Sequence, residues 1–131
     1  MGRSTDANEE SLVSQLQAML LSLLIEVPLA VGITALAGWL PRQELRRLAV
    51  AAIAATLLSH PLVWLAITQL QPLLQFAWRA LIVETGAILL EAVVYARLAH
   101  LGYLRGMALS TLANGASFGA GLVIHWAVRW G

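Results

Sequence analysis

Three glutamates and a histidine interrupt long apolar runs: Glu26 in LLIEVPLA, His60 in LSHPLVW, and Glu84 and Glu91 in ALIVETGAILLEAVVYAR. Glu84 and Glu91 lie seven residues apart, two helical turns, so they share one helix face. An ionisable side chain in hydrocarbon is costly, and such residues usually face a bundle interior or a water-filled cavity, where they mark ion, proton or substrate sites. Each must be protonated, hydrogen-bonded or bound to something; His60 is a candidate partner for Glu26 or Glu84, and Arg79 for Glu84 from the outer interface, although a five-residue spacing makes a poor helix-face pair. Asn114 and Ser117, with Ser110, add neutral polar groups to one face of a later helix through their four- and three-residue spacings. Two chemistries follow from this set. Carboxylates with an imidazole handle a proton, a cation or a small polar solute; the same groups bonded across helices only fix packing.

Metal binding is a third possibility. Glu26, His60 and Glu84 offer oxygen and imidazole ligands, but the Glu-x-x-His spacing of di-iron carboxylate bundles is absent. No spacing suggests a Ser/His/Asp constellation, and no glycine-rich phosphate loop follows a strand. An intramembrane enzyme is the weakest of the readings. No cofactor is implied.

The elements that carry these residues are membrane helices by composition. The chain has 131 residues, 60% hydrophobic and only 11% charged, outside the range of soluble globular domains. It has no cysteine, so disulfides, thiolate metal sites and thiol nucleophiles are excluded. All the basic residues are arginine and none forms a patch interleaved with aromatics, which argues against nucleic acid as a partner.

In order, residues 1–11 read as a polar, disordered or surface-lying tail, with Ser11 a candidate helix cap. Residues 12–39 form a first apolar span. Its acidic flank, with Glu26 and Pro28 inside it, favours a retained helix over a cleaved signal peptide. LPRQELRR at 40–47 is a turn, 48–70 a second span broken by QLQP, 73–97 a third, and 107–128 a fourth. The tryptophans fall mostly near span ends, as in an aromatic belt. Arg42, Arg46, Arg47, Arg97 and Arg105 gather in the first and third turns, which by the positive-inside rule face the cytoplasm and leave both termini outside.

A shift of 58 residues superposes Glu26 on Glu84, Arg47 on Arg105, Ala55 on Ala113 and Ser59 on Ser117, with Thr56 meeting Asn114. The expected architecture is therefore an all-α, four-helix membrane-spanning bundle of two parallel hairpin repeats, about 12–70 and 73–128, within one domain of residues 12–131. Such repeats imply a pseudo-twofold axis along the membrane normal. At about 1.5 Å per residue, Glu26, His60 and Glu84 fall in an outer layer, within roughly 8–15 Å of the outer ends of their spans. Glu91 and Asn114, with Ser110 and Ser117, form an inner layer. Pro28 and Pro61 free the carbonyls of Leu24 and Leu57 near two ionisable residues, which suits a cation or proton site or a plain kink. Gly115 and Gly119 have the spacing that permits close helix approach.

Glu26-x-Pro28, Ser59-His60-Pro61 followed by Trp64, Glu84 and Glu91, and Asn114-x-x-Ser117 resemble the pattern of small four-helix membrane proteins of bacteria and archaea, most of them described as uncharacterised. That resemblance covers the four spans and implies a fold and a polar core, but no activity.

The chain is thus expected to lie in a prokaryotic inner (cytoplasmic) membrane, with the lipid bilayer and a second copy or another membrane protein as partners. It is expected to bind or translocate a proton, cation or small polar solute through Glu26, His60, Glu84, Glu91, Asn114 and Ser117. The alternative is a structural or assembly subunit of a larger membrane complex. A metal-dependent intramembrane enzyme comes third.

Overall fold

The computed structural model describes residues 3–130, with side chains over 14–128. Its described residues form four α-helices, α1 (Arg3–Leu36), α2 (Leu45–Gln69), α3 (Phe76–Leu98) and α4 (Tyr103–Trp130), with a 3₁₀ turn at Arg42–Glu44 leading into α2. Alanine and leucine dominate these segments, and both favour helix.

The first expected boundary moves. Helix begins at Arg3 rather than after a tail ending at Ser11. A polar start does not by itself end a helical run, since helix propensity does not require apolar side chains. The third helix starts at Phe76, three residues later than the apolar run suggests, because Gln71 to Leu74 are held in turns by hydrogen bonds to Thr68 and Leu70 carbonyls.

Among the described residues three stretches are long and apolar enough to cross a membrane: Ser14–Leu36, Arg42–Gln69 and Tyr103–Val128. α3 falls short on composition, because Arg79, Glu84, Glu91 and Arg97 stand within its 23 residues. The outward faces of all four helices are apolar, with Leu24, Leu57, Leu81 and Val123 exposed. A surface so rich in exposed apolar residues fits hydrocarbon rather than water.

Each helix packs on its two neighbours, in the ring order α1, α2, α3, α4 and back to α1. Short connections make consecutive helices antiparallel. The end that carries the first and third turns is the tight one. Ala30, Ala51, Ala52, Ala55, Ala99, Leu48, Leu109, Leu101 and Tyr95 form its core. Small residues let the backbones approach, most closely where Gly106 of α4 meets α3: a Cβ there would stand 2.8 Å from the Ala92 carbonyl oxygen.

Arginines tie this end together. Arg47 Nε donates to the Leu98 carbonyl at 2.8 Å, across from the start of α2 to the end of α3. Arg105 Nη1 reaches the Trp39 carbonyl at 3.4 Å, from the start of α4 to the end of α1. Both place a cation on the carbonyl-rich end of a helix, where the dipole favours it. α1 closes on Gly38, whose φ of 63° is the left-handed conformation that lets Trp39 N donate back to the Thr34 carbonyl at 3.1 Å.

Candidate functional site

The polar residues sit midway along the bundle, where Thr and Ser replace the alanines of the tight end. Glu26, only 3% exposed, projects inward from α1. Its Oε2 accepts from Thr56 Oγ1 on α2 at 2.7 Å, and its Oε1 accepts from Ser117 Oγ on α4 at 2.6 Å. Glu91, 1% exposed, projects from α3. Its Oε1 accepts from Ser59 Oγ on α2 at 2.6 Å; its Oε2 accepts from Ser110 Oγ at 3.1 Å and from Asn114 Nδ2, both on α4. Each carboxylate therefore brackets α2 to α4 through neutral donors. Both of its oxygens are satisfied, as burial demands.

Glu84 differs. It lies two turns before Glu91 on α3, half-buried, and makes no hydrogen bond or ion pair with any described residue. It faces a cavity of about 240 Å³ to which all four helices contribute, through Ser22 and Glu26, His60 and Val63, Glu84, and Ser117 with Phe118. This cavity lies beyond the two brackets, toward the end of the bundle that carries both chain termini. His60 borders it half-buried, with its Nδ1 enclosed and without a hydrogen-bond partner.

The residues expected from sequence are thus partly brought together. Glu26, His60, Glu84, Asn114 and Ser117 border one cavity, and Glu91 lies just beneath it among its three donors. Four details differ from the sequence reading. His60 does not pair with Glu26 or Glu84, because Thr56 and Ser117 already occupy the Glu26 oxygens. Arg79 does not reach Glu84; its guanidinium stacks 5.7 Å from the centre of the Phe76 ring. Ser117 bonds upward to Glu26 rather than within an inner layer, so the two layers interlock. The two prolines and the residues whose carbonyls they free, Leu24 and Leu57, lie on exposed faces, so no unwound backbone enters the cavity.

The metal reading fares worse. Among the described residues no three His, Asp or Glu side chains come close enough to hold a metal ion, Glu26, His60 and Glu84 included. Sharing a cavity wall is a looser condition than converging on one ion.

Thr56 and Ser59 are the site residues that sequence reading missed as ligands of the carboxylates. Their signal was present, because they share a helix face by their three-residue spacing and match Asn114 and Ser117 under the 58-residue shift.

Comparison with known proteins finds no matching family model, no matching curated protein and no matching solved structure. Function therefore rests on the geometry of the site.

Proposed function

We propose that this chain is a small integral membrane protein that binds a small cation, such as an inorganic monovalent ion or an ammonium group, in the cavity bordered by Glu84 and His60. One observation carries the reading: of the three intramembrane carboxylates, Glu84 alone has no donor and faces open space. A half-buried carboxylate in an apolar bundle without a partner is costly, so a site that keeps one has a use for it. The cavity wall holds two carboxylates and no Arg side chain, which favours a positive guest over an anion.

The rival reading, a structural or assembly subunit, draws on Glu26 and Glu91, whose saturated brackets are what packing alone requires. The two readings divide the residues between them. Glu26 and Glu91 hold the bundle, and Glu84 with His60 is left to bind.

The repeat reading explains that division. Under the 58-residue shift Thr56 becomes Asn114 and Ser117 becomes Ser59, so the donor pair on Glu26 becomes two of the three donors on Glu91. Arg47 likewise becomes Arg105, each reaching the carbonyl-rich end of the other hairpin's first helix. The repeat counterpart of Glu26 is Glu84, yet Glu91, two turns on, has taken its donors. Glu84 is released to the cavity. In this reading all four helices span the bilayer, α3 with its charges turned inward, and the arginine-rich end faces the cytoplasm.

Calorimetric titration of the detergent-solubilised protein with methylammonium chloride and with potassium chloride tests the proposal. Saturable binding of at least one cation is expected in the native chain and its loss in Glu84→Gln, with a cooperative melt in both. Absent binding to the native chain, or binding untouched in Glu84→Gln, leaves the structural reading in place.

A further inference from the structure

A second, larger recess adjoins the polar cavity. It lies between α3 and α4 on the outside of the bundle and encloses about 530 Å³, within the range of about 300–1,000 Å³ typical of small-molecule pockets. Its wall is apolar, built from Phe76, Ala80, Leu81, Ile88, Gly115 and Leu122. Glu84, Asn114, Phe118 and Leu122 border both spaces, so the polar cavity and the apolar groove meet at Glu84, which has no donor among the described residues. Gly115 keeps the groove open, since a Cβ built there meets nothing within 4 Å.

We propose that the physiological guest is an amphiphile with a single apolar chain and an ammonium head: the head enters the cavity at Glu84 and His60, and the chain lies in the α3/α4 groove. This rests on the cation-binding reading above and narrows it to a class. The head is cationic because the cavity presents Glu84 and Glu26 with no guanidinium to meet a phosphate or sulfate. It is a hydrogen-bond donor because the Glu84 carboxylate, which has no donor among the described residues, accepts from an ammonium N–H. It carries one chain because one groove opens onto Glu84. A guest of this shape arrives from the bilayer itself, sideways between two helices, and does not need to cross the packed end of the bundle.

The test uses the full chain in phosphatidylcholine nanodiscs, with dodecylammonium and methylammonium as probes and dodecanol as the uncharged control. Two variants divide the site: Glu84→Gln removes the anion, and Gly115→Phe fills the groove from a position with room for a side chain. Dodecylammonium should bind saturably, with dodecanol about tenfold or more weaker. Gly115→Phe should weaken dodecylammonium about tenfold or more and leave methylammonium unchanged, while Glu84→Gln abolishes binding of both. If Gly115→Phe leaves dodecylammonium as tight as before, the groove is not its seat and the inference fails, although methylammonium binding would keep the simpler cation site. Equal binding of dodecanol overturns the charged head. A dimer that becomes a monomer in Gly115→Phe, with no effect of chain length on amine affinity, assigns the groove to a second copy and overturns the inference. If neither amine binds the native chain, both readings fall together.

Discussion

Glu26 and Glu91 show how a carboxylate is kept inside an apolar bundle without a cation beside it. Every oxygen is met by a hydroxyl or amide from a facing helix, and none by a guanidinium. Removing such an acceptor strands its donors, at about 1–3 kcal/mol for each buried group left unmatched. Glu91→Leu takes the acceptor from Ser59, Ser110 and Asn114, of which Ser59 and Asn114 keep carbonyl acceptors on their own helices at Thr56 and Ser110; it should therefore lose about 1–3 kcal/mol, and Glu91→Gln less, since the amide oxygen still accepts from Ser59. Tyr95 makes the opposite case: its hydroxyl is enclosed and has no hydrogen-bond partner. Tyr95→Phe should leave stability unchanged or raise it by about 1 kcal/mol. Thermal melts of the three variants in one detergent check the order. A Glu91→Leu protein as stable as Tyr95→Phe would mean that the bracket contributes nothing.

At this scale sequence indicated which residues were polar and inward but not who held whom. His60 looked like the natural partner of a glutamate because both are ionisable. Short hydroxyls took that place because Thr56 and Ser117 sit on the helix faces nearest Glu26, whereas His60 stands one turn farther from the tight end, beside the cavity. Spacing along one helix reports a shared face; the rotation of neighbouring helices decides which faces meet, and that is a property of packing.

The helices themselves were more legible. The break at QLQP falls where the structure ends α2, whereas the last helix begins at Tyr103, four residues before the expected 107, because the chain reverses at Gly102 and Arg105 is already helical. The close contact between helices was not legible. Gly115 and Gly119 have the recognisable spacing yet face open space, while Gly106, which shares that spacing with Gly102, lies against the Ala92 carbonyl, so the motif alone does not say which glycine meets a neighbour. Substitution should separate them by sign. Gly106→Ala forces α3 and α4 apart and should cost about 1–3 kcal/mol, more than the helix-propensity gain offsets. Gly119→Ala meets no obstacle and should stabilise by up to about 1 kcal/mol through propensity alone. Equal thermal shifts for the two would contradict the assignment of the contact to Gly106.

Across the whole molecule, the bundle is packed at one end and open at the other. Alanines, Leu48, Leu109 and Tyr95 fill the end that carries Arg47 and Arg105. The brackets of Glu26 and Glu91 close the middle, and the cavity occupies the end where the chain starts and finishes. A solute in the cavity has a floor beneath it, so the arrangement suits a pocket entered from one side or from the bilayer better than a continuous pathway. The chain contains no cysteine, which makes single-cysteine reporters clean. Ser22→Cys places a thiol in the cavity wall, and Ala51→Cys places one in the packed core, at a position 1% exposed. A charged, membrane-impermeant thiosulfonate should modify Ser22→Cys in sealed vesicles from the side bearing the termini only, and methylammonium should slow that reaction. Ala51→Cys should stay unmodified from either side. Labelling of Ser22→Cys from the arginine-rich side, or of Ala51→Cys at a comparable rate, would show a water path through the brackets and turn the pocket into a conduit.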